Sequence, residues 1–139
     1  MFSFNTTSYA TGTVTVTNGS NAVAGTGTTF TSGMTGKVLL TPGCGFGYVF
    51  TYVDATDGTL AQNYGCPTAT VAYGLNDLVV IPGSTHGLGT STITVTCWDN
   101  STRRQRITGN IAELTVDPST YDVHLMFYGA QAGTCTLQK

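Results

Sequence analysis

The clearest pattern in the chain is a strict alternation of apolar and polar positions within Ser84–Asp99, STHGLGTSTITVTCWD. A period of two predicts a half-buried antiparallel strand, with one face in the core and the other face outside. The expected inner face carries Ile93, Val95 and Cys97, and the expected outer face carries Thr92, Thr94, Thr96 and Trp98. The strands that follow are expected to lie against the same apolar face.

A similar alternation near the N-terminus predicts a β-hairpin. Val14 and Val16 alternate with threonines and are followed by Asn18-Gly19, a pair that tolerates the positive φ of a tight hairpin turn. By the same reasoning, residues 54–58 are predicted to turn the chain after the β-rich segment FGYVFTYV, with Asp57-Gly58 as the positive-φ pair.

Strand patterns recur at short intervals, and no segment has a helical period. The 18 glycines are scattered along the chain, which argues against long helices. The fold class is therefore predicted to be all-β, with two small antiparallel β-sandwich or barrel-like units in tandem. The expected boundaries are an N-terminal arm at 1–10, a first β unit at 11–82 that closes at Pro82-Gly83, and a second, β-sandwich unit at 83–139.

Charge is scarce: 9% of residues are charged, and the formal net charge is −2. Arg103, Arg104 and Arg106 form one small cluster but no basic stripe, so nucleic-acid binding is not expected. Solubility would rest on Thr, Ser, Asn and Gly. The surface is either simply that of a threonine-rich β protein, or it is largely covered by other subunits.

The first ten residues have neither the basic nor the apolar region of a secretory signal. Apolar runs stay well below the about 20 residues of a membrane span. We therefore expect a soluble chain that is not secreted by its own signal and does not associate with a membrane.

Four cysteines, Cys44, Cys66, Cys97 and Cys135, allow three pairings. No C-x-x-C pair occurs, so a zinc site is not expected. In a reducing cytoplasm they would be buried free thiols. The alternative is two disulfides, Cys44–Cys66 and Cys97–Cys135, suited to a particle that ends up outside the cell.

Several aromatic residues are candidates for contacts with another subunit or with a glycan. Phe2 and Phe4 either anchor an extended arm on a neighbouring subunit or form a short edge strand of the chain's own domain. The remaining candidates are Tyr48, Tyr52, Trp98 and Tyr128. Aromatic side chains of this kind either line a sugar-binding face or, as the favoured interpretation, pack in cores and subunit contacts.

Catalytic chemistry is not indicated, so we do not expect an enzyme. His86 and His124 have no spaced carboxylate or cysteine beside them, and Glu113 is the only glutamate. Most aspartates fall in or beside turns, where their carboxylates bond local amides. No pattern predicts a cofactor or a metal site.

Two stretches resemble β modules of tailed-bacteriophage virion proteins. The first is TGTVTVTNGSNAVAGTGTTFTSGMTGK, with its Thr-Val alternation and Asn-Gly-Ser turn. The second begins with a His-x-Leu-Gly-Thr segment and ends in an Ala-x-x-Gly-Thr hairpin. Its matching residues are His86, Leu88, Gly89, Thr90, Trp98, Asp99, the turn 117–121, Ala130, Gly133 and Thr134.

The resemblance implies a structural role in a virion assembled in the bacterial host cytoplasm. A capsid decoration (cement) or head-fibre protein fits this short chain better than a tail fibre, fibre tip or adaptor. The implied partners are the major capsid protein or tail proteins and further copies of the chain, with a trimer favoured. A carbohydrate-binding module that recognises host surface glycans is the alternative.

Overall fold

The computed structural model describes residues 1–103, 105–107 and 111–139 of the chain. These residues form fourteen β-strands, one 3₁₀ turn at Ser32–Met34 and a single α-helical turn, α1, at Gly83–His86. The prediction of an all-β fold is confirmed. The pairings between strands are antiparallel throughout the described residues.

The chain divides into two compact units, which we call the inserted unit, Ser8–Asp77, and the terminal unit, Met1–Thr7 together with Leu78–Lys139. This division corrects the expected tandem order of arm, first unit and second unit. The first seven residues belong with the C-terminal part because the first strand pairs with the last one. The boundary moves from 82 to 77 because Leu78–Ile81 pairs with Val123–Met126.

The inserted unit is one eight-stranded sheet in the order β2-β9-β5-β6-β7-β4-β3-β8. Its strands are β2 (Ser8–Tyr9), β3 (Thr13–Val16), β4 (Ala22–Thr26), β5 (Val38–Leu40), β6 (Tyr48–Tyr52), β7 (Asp57–Leu60), β8 (Ala69–Val71) and β9 (Gly74–Asn76). One core cluster includes Val14, Phe30, Phe50 and Leu75. A single sheet that covers one core with one of its faces must curl around that core. Of the two predicted architectures, sandwich and barrel-like, the inserted unit therefore has the barrel-like one.

The terminal unit has two three-stranded sheets, β1-β14-β11 and β10-β13-β12. Its strands are β1 (Phe2–Asn5), β10 (Leu78–Ile81), β11 (Thr94–Asp99), β12 (Ile111–Val116), β13 (Val123–Phe127) and β14 (Ala132–Gln138). Phe4 of the first sheet stacks on Phe127 of the second, with ring centroids 4.9 Å apart. Because both sheets contribute to one core, this unit is a β-sandwich.

The two predicted hairpin turns have different outcomes. Gly19 has a φ of 80°, and Val16 pairs with Val23 across the turn, so the Asn18-Gly19 hairpin is confirmed. A turn does occur within 54–58, but the prediction that Asp57-Gly58 is its positive-φ pair is wrong because both residues lie in β7. The turn instead precedes them and is held by the Asp54 carboxylate, which accepts a hydrogen bond from the Asp57 amide at 2.9 Å. A Cβ at position 58 would lie 2.1 Å from the Phe50 ring, so glycine is needed there for space.

Candidate functional site

Two of the six aromatic candidates are taken up by the chain's own cores. Phe4 is 8% exposed and Tyr48 is 5% exposed. Tyr48 packs near Tyr64, with ring centroids 5.3 Å apart, and its hydroxyl accepts a hydrogen bond from the Gly65 amide at 2.8 Å. The expectation that Phe4 and Tyr48 contact a subunit or a glycan is therefore corrected, because the strand alternation turns both side chains inward.

The other four aromatic candidates reach the surface to different degrees. Phe2 and Tyr52 are half-buried against the cores of their own units. Phe2 and Phe4 both lie in β1, so the structure has the edge-strand alternative rather than an extended arm. Trp98 is half-buried on the outer face of β11, and Tyr128 is 59% exposed just after β13.

Both disulfide pairings considered from the sequence are present. Cys44 is bonded to Cys66 in the inserted unit, and Cys97 is bonded to Cys135 in the terminal unit. The second bond joins directly opposed residues of β11 and β14. The alternative of buried free thiols does not hold in this structure.

The His86 ring is fixed by two backbone groups. Its Nε2 lies 2.7 Å from the carbonyl oxygen of Tyr121, and its Nδ1 accepts a hydrogen bond from the Leu88 amide at 3.2 Å. A carbonyl only accepts and an amide only donates, so these two bonds fit the tautomer that carries its hydrogen on Nε2. One bond lies within the loop of His86, and the other joins this loop to the turn at 117–121.

Neither histidine belongs to a metal-binding group among the described residues. His124 lies between Val80 and Thr115 in the middle of its sheet. Within the described ranges 1–103, 105–107 and 111–139, no three His, Cys, Asp or Glu side chains gather as a metal-binding group requires. Both histidines therefore have structural surroundings in this part of the chain.

Three aspartates hold turns, as the sequence predicts. Hydrogen bonds lower the pKa of Asp54 through the Thr56 amide and that of Asp99 through the Ser101 hydroxyl. The pKa of Asp117 falls from 3.8 to about 2, first because of the Ser119 hydroxyl and then because of the Thr120 and Ser119 amides. Each of these carboxylates accepts hydrogen bonds within its own turn.

Two tyrosine hydroxyls in the inserted unit also form structural hydrogen bonds. The Tyr73 hydroxyl donates to the carbonyl of Thr11 at 2.7 Å, and burial raises its pKa. The Tyr9 hydroxyl accepts a hydrogen bond from the Thr29 amide at 2.8 Å, and its bond with the Thr29 hydroxyl lowers its pKa. These hydroxyls link Tyr73 to Thr11 and Tyr9 to Thr29.

The terminal unit contains a cavity of about 200 Å³. Its lining residues are Met1, Phe2, Ile81, Thr85, His86 and Leu137. None of them is a carboxylate, and both ring nitrogens of His86 are already bonded to the backbone. The cavity thus offers space beside the histidine but no available base.

The outward side chains of β3, β4, β6, β7 and β8 form a nearly uncharged surface, which we call the threonine face. Its members are Thr13, Thr15, Ala22, Ala24, Thr26, Val49, Thr51, Asp57, Thr59 and Thr70. The hydroxyls of Thr15 and Thr70 bond each other at 2.8 Å across neighbouring strands. Asp57 is its one charged residue, so the face is built from short side chains of low polarity.

A comparison of the chain with protein-family models, with curated proteins and with solved structures finds no match. No helix among the described residues has the length and apolar character needed to cross a membrane. Of the arginine cluster noted in the sequence, Arg103 and Arg106 are exposed, and Arg104 lies outside the described residues. Arg106 forms an antiparallel bridge with Trp98 of β11.

Proposed function

We propose that the protein is a structural component of a bacteriophage virion, a capsid decoration or head-fibre protein that stabilises the particle through subunit contacts. The observation that carries this proposal is the threonine face of the inserted unit. Its partners are further copies of the chain, with a trimer favoured, and the major capsid protein or tail proteins. The sequence resemblance supports a location in a virion, and the threonine face is the surface through which we propose the subunits make contact.

Short uncharged side chains favour a protein interface for two reasons. Charged groups are depleted from interface centres because their removal from water is unfavourable. Ordering a long side chain such as lysine or glutamate costs about 1.5–2 kcal/mol in rotamer entropy, a cost that alanine avoids. A face with Ala22, Ala24 and the threonines therefore loses little free energy when a second surface covers it.

The two disulfides support the proposal that the protein acts outside a reducing cytoplasm. Disulfides persist in oxidising surroundings and are rare among cytosolic proteins. A virion protein is made in the host cytoplasm and then acts after release, so the bonds form once the particle leaves the cell. Cys44–Cys66 and Cys97–Cys135 then stabilise one unit each.

The proposal is tested by placing charge on the threonine face. In an Ala22→Glu/Thr51→Glu variant, two exposed positions beside Thr59 become anionic. We expect the variant to fold but to lose self-association by at least tenfold in sedimentation measurements, and to lose its place on particles that carry the chain. Gln62→Glu, at an exposed loop position outside the face, is the matched control.

Particle stability gives the second readout. Particles that lack the protein are expected to lose their genomes at lower temperature than complete particles, and labelled antibody in electron micrographs separates a head position from a tail position. Unchanged heat tolerance without the protein would contradict the proposal. So would equal association of the double variant and the Gln62→Glu control.

A further inference from the structure

We propose that the outer face of the β1-β14-β11 sheet binds an acidic polysaccharide, with Trp98 and Arg106 at the centre of the site. The ligand class is a polymer whose sugar rings carry carboxylates, such as a uronic acid. This inference stands independently of the proposed virion role, because it concerns the isolated chain and a different unit.

Strand register places an indole beside a guanidinium. Cys97 points into the core, so its neighbour Trp98 points outward. Trp98 forms an antiparallel bridge with Arg106. Directly opposed residues of an antiparallel pair project on the same side, with Cβ atoms about 4.5–5.5 Å apart. The two side chains therefore emerge next to each other on the outer face.

Trp98 and Arg106 belong to a row of outward side chains that crosses the sheet. On the neighbouring strands this row continues with hydroxyl groups. Thr134 lies opposite Trp98, and Ser3 lies opposite Thr134. The outward residues of the three strands and the bridge are Ser3, Asn5, Thr94, Thr96, Trp98, Arg106, Ala132, Thr134, Thr136 and Gln138. They include several hydroxyls and amides, the groups that bond sugar hydroxyls, and one charge, that of Arg106.

The guanidinium of Arg106 is available for a ligand. The residue is exposed, and no carboxylate of the described residues lies within ion-pair distance of it. Asp99 and Glu113 are equally near along the chain. The Asp99 Oδ1 accepts hydrogen bonds within its own turn from the Ser101 hydroxyl at 2.6 Å and the Gln105 amide at 2.8 Å, and the Glu113 Oε1 accepts one from the Thr115 hydroxyl at 3.1 Å. A planar guanidinium binds a carboxylate through two parallel hydrogen bonds.

The indole decides between an acidic sugar and an acidic protein segment. A uronic acid has its carboxylate fixed to the ring, so the ring can lie on the flat apolar face of Trp98 while the carboxylate reaches Arg106. An aspartate or glutamate side chain has no rigid ring beside its carboxylate that could stack on the indole. The pair therefore matches the sugar acid, and an acidic peptide is the competing outcome of the test.

The experiment uses the full chain, whose single tryptophan makes its fluorescence a direct reporter of the site. Polygalacturonate, alginate and hyaluronate are titrated in turn, with dextran as the neutral polymer and polyglutamate as the acidic peptide. We expect at least one uronic-acid polymer to shift the Trp98 emission. We also expect added salt to weaken the binding, and dextran and polyglutamate to have no effect.

Matched arginine variants distinguish the site from diffuse charge. Arg106→Gln is expected to weaken binding at least tenfold, whereas Arg103→Gln, an exposed arginine outside the row, stays within about twofold of the parent chain. Trp98→Ala, followed by calorimetry, is expected to abolish binding while the unfolding transition persists.

Three results would overturn the inference. One is an unchanged emission with all three uronic-acid polymers. Another is equal loss from Arg103→Gln and Arg106→Gln. The third is polyglutamate binding that matches the sugar polymers and has the same dependence on Arg106, which would assign the site to an acidic protein. None of these results bears on whether the threonine face associates with other subunits.

Discussion

At the scale of single residues, the Asp117 turn shows how a side chain in solvent defines a local structure. The Ser119 hydroxyl and the Thr120 amide donate to its Oδ1 at 2.6 and 2.9 Å. Tyr121, which closes the turn with a φ of 61°, presents its carbonyl to His86. The turn therefore links the local hydrogen bonds of Asp117 to the loop that carries His86.

The Asp117 turn gives a pH-dependent prediction. The pKa of Asp117 is about 2 in the folded chain against an ordinary value of 3.8, so the folded state binds fewer protons between these values. The stability that its carboxylate contributes is complete above 3.8 and is lost as the pH falls toward 2. Asp117→Asn lacks this contribution, so the difference in urea midpoint between parent and variant is expected to shrink over that window. Parallel profiles of the two proteins would contradict this account.

Residue chemistry was predictable where it is local. The aspartates in turns follow from the sequence because an Asx carboxylate bonds amides two or three positions along the chain. The row formed by Trp98 and Thr134 was not predictable. Its members meet through strand register, which depends on the whole sheet, and the apolar alternation gives only the face on which each side chain lies.

At the scale of elements, the expected and observed roles differ most for β1, which was expected in an N-terminal arm and pairs with β14. Its period of two is too short to identify a strand, and its partner β14 lies at the opposite end of the sequence. Local pattern predicted strands such as β3 and β11 because each one carries its own alternation. Pairing between distant segments was beyond that pattern, so the arm and the tandem order were wrong.

The edge strand gives a stability prediction at Phe4. Truncating a buried phenylalanine to alanine costs about 3–5 kcal/mol, and Phe4→Ala should fall near the lower limit because β1 is an edge strand. Phe2→Ala, at a half-buried position of the same strand, is expected to lose clearly less. Denaturant unfolding measures both. If the strand instead served as an arm on a neighbouring subunit, Phe4→Ala would leave unfolding unchanged and weaken self-association.

At the scale of the whole molecule, each unit has its own core and its own disulfide. The bonds close loops with sequence separations of 22 and 38 residues. In the chain-entropy account, each bond stabilises its unit by about 3 to 4 kcal/mol by restricting the unfolded chain. Because the cores are separate clusters, each contribution is expected to remain within its own unit.

Paired alanine variants test this separation, and each variant is the control for the other. Cys44→Ala/Cys66→Ala should lower hydrogen-exchange protection in the inserted unit by the equivalent of about 3 kcal/mol and leave the terminal unit unchanged. Cys97→Ala/Cys135→Ala should have the reverse effect, slightly larger because its loop is longer and both sulfurs are buried. If either variant lowers protection equally in both units, the chain unfolds as one cooperative body.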